Sequence, residues 1–469
     1  MKKYFLLIIL FSLLCGNSIA QQDLTLHLMP IIPQSNYTNP SFKPTAKIYF
    51  GFPAISSLYV GVGHTGFVYR DAIERRYDDS LVLKVDNLLE KLSKRNYLSV
   101  NVMEELIAFG FKQKKNFFNF SLSEKASIRF SYPKELISLI WNGNGQYIGK
   151  VADFTGIGLN ATHYREFAFG FAREINDKIS IGGKLKYLKG LMNVSTKHNS
   201  FTWGIGEQDF GYETNNDFLI NAALPQAVYN SLDTNNDNDT LDFNFADYMF
   251  RSKNSGFGID IGATYKYNDK FTFAASILDL GYIKWKTNPR NYSSNVENFT
   301  FDGIDINDFF DKSDSANKES FNKVLDSIAN IFGFVKTSGS YSSPLTTKIY
   351  LTGIYTLTPK DKIGLLVRND FFRGLHPSVT VSYNKRFFNM LSASVSYSVM
   401  NRGYMNLGFG FALNLGPFQT YVLTDNFYSL LAPTRTKNVS VHFGINFIFG
   451  YKDKNLGGSL FKGTNDEPK

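Results

Sequence analysis

An acidic stretch in the middle of the 469-residue chain has part of the spacing of a calcium-binding loop. Carboxylate and amide oxygens at alternate positions surround Ca²⁺ in EF-hand loops. Two elements are missing, because Asn238 stands where the sharp turn needs glycine and Asn244 stands where a bidentate glutamate belongs. The stretch is therefore interpreted as a solvated acidic loop, with a calcium site as the alternative. Its four regularly spaced residues are Asp233, Asn235, Asp237 and Asp239.

A glycine-rich run near the N-terminus matches the dinucleotide-binding fingerprint G-x-G-x-x-G. The run covers Gly61–Gly66, and Asp86 follows it at the distance expected of a ribose-binding carboxylate. This fingerprint holds a pyrophosphate only where a strand leads into the glycines and a packed helix follows them. Here Phe67–Arg70 continues as strand-like sequence. A glycine-rich barrel strand or rim is therefore predicted at this position.

Other residue types that could carry out catalysis are scattered. The chain has six histidines and one cysteine, Cys15, and it contains neither an H-E-x-x-H nor a G-x-S-x-G motif. We therefore predict no enzyme activity, no metal and no cofactor. The formal charge of +9 is spread along the chain without a Lys/Arg block, so no nucleic-acid partner is predicted. His442 lies on the polar face of an alternating segment, which favours a lumen-facing role over catalysis.

Apolar and polar residues alternate through the last third of the chain. Over Asn438–Tyr451 each odd position is large and apolar, whereas the even positions are small or polar with the exception of Ile448. Met405–Leu415 and Leu391–Val399 repeat the pattern. Side chains of a strand point to opposite faces with period two, so each segment is a strand with one apolar face. With 16% aromatic residues, the pattern predicts a transmembrane β-barrel, and a soluble β-sandwich or propeller is the alternative.

The first twenty residues have the layout of a secretory signal peptide. Two lysines precede an apolar run, Tyr4–Cys15, that is too short to cross a bilayer, and Ser18–Ala20 supplies the small residues that a signal peptidase needs. A lipoprotein signal at Cys15 is the alternative, although Leu14 stands where a small residue is preferred. The predicted divisions are a signal peptide at 1–20, a periplasmic or luminal arm at 21–46, an outer-membrane barrel at 47–451 and a polar tail at 452–469.

Turn signals and long loops indicate how the strands are connected. Asn176–Lys178 and Asn268–Lys270 separate alternating segments, and Asn and Asp favour the backbone of tight hairpin turns. Residues 190–255 and 283–346 form longer polar connections. Short turns at one end and long loops at the other are typical of outer-membrane barrels, whose short turns face the periplasm. The predicted fold is all-β, an antiparallel transmembrane β-barrel of roughly 14 strands with an N-terminal luminal arm and short helices in plug or loops.

Two short helices are predicted outside the strands. Pro133–Trp141 has proline in its first turn and apolar residues at helical spacing, and Asn142 and Gly143 stop it. Helices are rare in barrel walls, so we expect this one in the lumen or at a rim. Lys318–Phe332 has an apolar face that needs a surface to bury against.

A polar arm follows the predicted signal peptide and carries Asn39-Pro40, and strands rich in Gly and Phe follow it. In these features the chain resembles outer-membrane barrels of Bacteroidota, including an uncharacterised family with an NPA-like start. It is more distantly similar to FadL-type fatty acid transporters and to accessory barrels of type IX secretion. Ser41 replaces the alanine of the motif, and 452–469 follow the last strand, where many such barrels end on an aromatic residue. The resemblance implies localisation in the bacterial outer membrane, in contact with its lipid.

Two functions are consistent with this sequence. The first is a FadL-like conduit for a hydrophobic small molecule, in which the arm and the Pro133–Trp141 helix plug the lumen. The second is a non-transporting scaffold whose long loops bind a partner protein in secretion, gliding or envelope assembly. The candidate plug residues are Asn39, Pro40, Phe42, Leu136, Ile140 and Trp141. The candidate partner-binding residues are Phe321, Val324, Leu325 and Ile328 of the loop helix.

Overall fold

Fourteen antiparallel strands close into a barrel, which confirms the predicted fold class. The structure, a computed structural model, describes residues 23–205, 207, 212–231, 244–294, 335–372, 374–387, 390–400 and 403–450. Each strand pairs with the next, and the first pairs with the last, where Ile48 lies opposite Phe449. The strands are β1 Ile48–Gly51 and Leu58–His64, β2 Arg95–Gln113, β3 Asn116–Pro133, β4 Gly158–Glu174, β5 Ile179–Ile205, β6 Asn254–Lys266, β7 Phe271–Trp285, β8 Tyr341–Pro344 and Thr347–Thr358, β9 Asp361–Phe371, β10 Leu375–Arg386, β11 Leu391–Met400, β12 Gly403–Leu415, β13 Phe418–Thr424 and β14 Asn438–Phe449.

The two faces of the wall differ in polarity as the alternation predicts. On β14, Ser440, His442 and Asn446 face the interior and are buried, whereas Phe443 and Phe449 are exposed on the outside. An apolar outer surface of this kind is what a barrel presents to lipid. Among the described residues, no helix combines the length and the apolar character needed to cross a bilayer.

The short hairpin turns lie together at one end of the barrel, called here the short-turn end. The Asn176 side-chain oxygen accepts hydrogen bonds from the backbone N–H groups of Lys178 (2.9 Å) and Ile179 (2.8 Å). The Asn268 side chain repeats this arrangement in the turn between β6 and β7. These bonds replace the ladder hydrogen bonds that the turn interrupts, as expected of asparagine in such turns.

A row of phenylalanine rings follows the outer surface near the short-turn end. The ring centroids of Phe50 and Phe109 are 4.7 Å apart, those of Phe111 and Phe118 are 5.3 Å apart, and those of Phe118 and Phe171 are 5.1 Å apart. Aromatic girdles of this kind mark the membrane–water interface of outer-membrane barrels. In this barrel the row lies close to the short turns.

The opposite end, called the long-loop end, carries additional structure beyond the wall. The β5 strand extends past its neighbours and pairs there with Tyr212–Ala223, which pairs with Pro289–Ser293, and that strand pairs with Val335–Thr337. Val151–Asp153 pairs with β5 on its other side. The described α-helices outside the arm are Tyr69–Ala72, Val85–Lys91, Lys134–Asn142, Gln226–Ser231, Phe245–Phe250 and Tyr428–Leu431.

Candidate functional site

The N-terminal arm, residues 23–47, runs through the interior of the barrel to the short-turn end, where Lys47 leads into β1. It contains one helical turn, Leu24–His27, and a 3₁₀ segment, Pro33–Tyr37. Its apolar side chains are buried against inward-facing apolar residues of the wall, so burial of apolar surface holds the arm in place. The arm residues Leu24, Leu26, Leu28, Met29 and Ile32 pack with Leu278, Tyr350, Leu366, Met400, Ala412, Tyr421 and Leu423.

Polar groups of the wall hold the start of the arm. The Asp425 carboxylate, just past the end of β13, accepts a hydrogen bond from the Thr25 backbone N–H at 2.8 Å. The Asp23 carboxylate lies 3.0 Å from Nδ1 of His442, which confirms that His442 faces the lumen. A carboxylate that receives the unpaired N–H groups of a first helical turn is a stabilising cap. The arm thus begins at fixed hydrogen bonds in the interior of the barrel.

His27 connects two parts of the arm with the wall. Its Nδ1 lies 2.8 Å from the Thr38 hydroxyl, and its Nε2 lies 2.6 Å from the Thr352 hydroxyl of β8. A neutral ring has one donor and one acceptor nitrogen, so both hydroxyl contacts are satisfied without burying a charge.

The predicted plug residues Asn39, Pro40 and Phe42 lie inside the barrel and are buried. The Asn39 side-chain oxygen accepts a hydrogen bond from the Ser41 backbone N–H at 2.9 Å, and the Ser41 hydroxyl lies 2.7 Å from that of Thr264 on β6. Gly182 of β5 lies against this part of the arm. A Cβ atom at Gly182 would lie 2.3 Å from the carbonyl oxygen of Pro40. The backbone of the arm therefore approaches β5 at a distance that only glycine permits.

The helix Lys134–Asn142, by contrast, lies at the long-loop end. None of its residues is buried, and Ile140 and Trp141 are each 48% exposed. Its apolar face, with Leu136, packs against the neighbouring loop segments around Val85–Lys91. The helix therefore occupies the rim, one of the two positions expected for it, and not the lumen that a plug role of Leu136, Ile140 and Trp141 requires.

Several predictions lie outside the described residues. These are the signal peptide, the polar tail and the acidic stretch that contains Asp233 and Asp239. The loop helix with Phe321, Val324, Leu325 and Ile328 also lies outside them.

Buried ion pairs line the lumen beside the arm, and this network was not predicted from the sequence. Lys186 Nζ lies 2.7 Å from an Asp260 oxygen and 2.6 Å from Asp279 Oδ1. The other oxygen of Asp279 lies 2.8 Å from Lys348 Nζ. Two further pairs in the lumen are Lys125–Glu166 and Arg368–Asp370. Buried charges require such partners, so the network is a tightly constrained polar wall.

A cavity of about 160 Å³ lies between the arm and strands β2 to β9. The arm contributes Asp23 and Tyr37 to its lining, and the ion pairs contribute both signs of charge. Hydroxyl and amide side chains complete the lining, among them Asn101, Ser127 and Asn160. A solute in this cavity would touch the arm and the wall at the same time.

We expect that Gly182→Ala loosens the arm. The added Cβ would meet a backbone carbonyl that cannot rotate away, and overpacking of this kind costs about 1–3 kcal/mol. In a Ser41→Cys background, we expect labelling of the buried cysteine by a maleimide to accelerate roughly 5- to 150-fold, the factor that this free energy gives. Gly183→Ala is the matched control, since a Cβ there would meet an atom only at 3.5 Å. Equal labelling rates in the two variants would contradict the placement of Pro40 against β5.

Several solved structures are similar to this chain over most of its length. They include the toluene transporter TbuX of Ralstonia pickettii, with 7% sequence identity, coverage of 90% of this chain and 93% of that chain, and a TM-score of 0.41. A FadL homologue of Pseudomonas aeruginosa has 9% identity, coverage of 90% and 94%, and a TM-score of 0.38. The translocator domain of the autotransporter NalP from Neisseria meningitidis has 8% identity, coverage of 91% and 95%, and a TM-score of 0.33. At such low identities and scores these likenesses carry no argument about what this chain binds.

Comparison of the amino-acid sequence with known proteins gives a family match. No curated protein sequence matches the chain. One protein family matches over residues 40–425, from the arm to the end of β13. The chain therefore belongs to the family of unknown function DUF5723.

Proposed function

We propose that this protein is an outer-membrane conduit for a small molecule and that its N-terminal arm controls passage. The observation that carries the proposal is the arm itself, which occupies the lumen with a cavity beside it. The arm is held by side-chain hydrogen bonds such as those at Thr25, His27 and Ser41 and by apolar packing, and these contacts lie outside the backbone ladder that joins the wall strands. A segment held in this way can leave the wall without unfolding of the barrel, because the ladder of wall hydrogen bonds does not include it.

The lining of the cavity indicates the kind of molecule. A hydrophobic cargo, as the resemblance to FadL-type barrels implies, remains a prediction. The cavity beside the arm is lined by ion pairs such as Lys186–Asp279 and by amides such as Asn160. An apolar solute there would leave these polar groups without partners, which is costly. The lining thus favours a solute with polar or charged groups.

The experiment that tests the conduit is a reversible tether on the arm. The hydroxyl oxygens of Ser41 and Thr264 lie 2.7 Å apart, a spacing at which a disulfide can join the two positions. The sole natural cysteine, Cys15, lies in the predicted signal peptide. For Ser41→Cys/Thr264→Cys in a planar bilayer in KCl, we expect conductance under reducing conditions and its loss after oxidation. The two single-cysteine variants are the controls and should not respond to oxidation.

The scaffold hypothesis is favoured by one observation at the long-loop end. Phe245 and Phe250 of the short helix there are 63% and 65% exposed, and Leu431 is 70% exposed. Exposed apolar side chains beyond the membrane wall suit contact with a partner protein. The tether experiment separates the two functions, since a barrel that conducts in neither redox state would contradict the conduit and favour the scaffold. Conductance that is the same before and after oxidation of the two cysteines would contradict control by the arm.

A further inference from the structure

Lys184 is a buried lysine of the lumen that has no counterion within the part of the chain that the structure describes. It lies on the inner face of β5 and is 2% exposed. Among the described residues, no carboxylate lies within ion-pair distance of its Nζ atom, and no hydrogen bond to it is made. Its contact is with the ring of Tyr37 on the arm, whose centroid lies 4.3 Å from Nζ. Lys184 therefore lines the cavity without direct contact with a carboxylate among the described residues.

The other lysines and one of the arginines of the cavity are matched by carboxylates. Lys125 binds Glu166 at 2.8 Å, Lys186 binds Asp260 and Asp279, and Lys348 binds Asp279. Arg368 binds Asp370 through Nε at 2.7 Å, and the guanidinium of Arg129 lies 4.0 Å from the ring of Phe372. Because the neighbouring charges are already paired within the wall, they do not supply Lys184 with a partner.

An unpaired ammonium group is costly to bury. A cation–π contact with one tyrosine offsets part of this cost, by about 0.5–2 kcal/mol. A carboxylate in the cavity would add a charge-assisted hydrogen bond, which is stronger than one between neutral groups. Since Lys184 is the one lysine of the cavity that has no carboxylate partner among the described residues, a monoanion would complete the site. A multiply charged anion would face the carboxylates of Asp260 and Asp279.

The remaining lining describes the body of such a ligand. Amide and hydroxyl groups of Asn101, Ser127 and Asn160 face the same cavity, and the ring of Tyr164 lies among them. Such groups exchange hydrogen bonds with hydroxyls, while an aromatic ring packs on the C–H face of a hydroxylated ring. A volume of about 160 Å³ accommodates a ring of monosaccharide size.

We propose that this cavity binds a small hydroxylated organic anion, the size and charge of a monosaccharide uronate, with its carboxylate on Lys184. This proposal rests on the proposed conduit function, because it names the class of solute that the conduit would carry. Because Tyr37 belongs to the arm, the ligand would replace or share a contact that holds the arm against β5.

The first test compares three probes on the full chain in detergent by saturation-transfer NMR and titration calorimetry. D-glucuronate, D-glucose and D-glucosamine share one ring and differ in charge. We expect glucuronate to bind about tenfold or more tightly than glucose, the factor that a hydrogen bond to a charged group gives, and glucosamine to bind most weakly. Equal binding of glucuronate and glucose, or no saturation transfer to glucuronate, would overturn the proposal.

The second test changes the cation. We expect Lys184→Met to weaken glucuronate binding about tenfold and Lys184→Arg to retain it. Lys178→Met is the matched control, because Lys178 is an exposed residue of the turn that precedes the same strand. Unchanged affinity in Lys184→Met would overturn the assignment. Should that variant fail to fold, as judged by its heat-dependent migration on gels, the glucuronate preference of the unaltered protein decides. Binding at equilibrium is independent of conductance, so either proposal can fail alone.

Discussion

Replacing Asp279 with asparagine should lower the free energy of unfolding of the barrel by about 3–5 kcal/mol, the cost of breaking a buried ion pair from one side. Asp279 joins two cations, Lys186 and Lys348, and is itself buried. Lys186 would keep Asp260 at 2.7 Å, but Lys348 would lose the one carboxylate with which it pairs in the described part of the chain. A urea titration of the barrel folded in lipid vesicles measures the change.

The matched control is Asp269→Asn in the turn between β6 and β7. Asp269 also binds a lysine, Lys266, at 3.3 Å, but its side chain is fully exposed. Exposed ion pairs contribute about 0–1 kcal/mol, so this variant should unfold almost as the unaltered protein does. Adding Lys348→Met to Asp279→Asn should restore part of the lost stability, because the orphaned charge is then gone. If Asp279→Asn lowered the free energy of unfolding no more than Asp269→Asn, this result would contradict a stabilising role of the ion network.

The wall of the barrel could be predicted because its signal is local. Each segment such as Leu391–Val399 carries its own alternation of apolar and polar residues. This alternation is enough to identify a strand with one lipid-facing side. Where the wall carries charge, the prediction was less accurate. The sequence predicts separate strands at Asn116–Ser123 and Ser127–Ser131, but β3 runs unbroken over Asn116–Pro133. The charged residues between the two segments interrupt the apolar alternation. They are compatible with a strand because Lys125 faces the lumen and binds Glu166 there.

The ion network depends on information that one sequence does not contain. Lys186 lies opposite Gly258 in the β5–β6 register, and Asp279 sits at an irregularity of β7 with a φ of 59°. Both the register and the irregularity are needed to bring Lys186, Asp260 and Asp279 together. Alternation assigns these residues to the inner face but gives no partner, because partners are set by pairing across strands.

The two predicted plug elements met different outcomes for a physical reason. The arm has apolar residues spaced between polar ones, and the wall offers matching apolar positions such as Leu366 and Tyr421 inside an otherwise polar lumen. The helix Lys134–Asn142 has a continuous apolar face, which a polar lumen cannot bury. The irregular arm therefore fits this lumen better than the regular helix does. A search of the sequence for amphipathic helices would select Lys134–Asn142 instead of the arm.

Replacing Val395 with arginine should destabilise the barrel by about 2–4 kcal/mol if the outer face contacts lipid, the cost of a cation near the bilayer midplane. Val395 lies near the middle of β11, on the outer face, and is flanked by Tyr383 and Phe409 on the neighbouring strands. Its side chain is 51% exposed in the absence of lipid. In water an arginine at this position would be tolerated, so the cost comes from the membrane. Unfolding in urea from lipid vesicles measures it.

Leu415→Arg is the matched control for depth. Leu415 is also 51% exposed on the outer face, but it lies at the short-turn end, where it pairs with Phe418 across the turn. Arginine near the interface costs about 0–1 kcal/mol, because its guanidinium reaches water and head groups. A large difference between Val395→Arg and Leu415→Arg would show that the apolar band of this barrel is set by the membrane. Equal effects at the two depths would contradict the placement of β11 and β12 across a bilayer, and with it the proposal of a conduit.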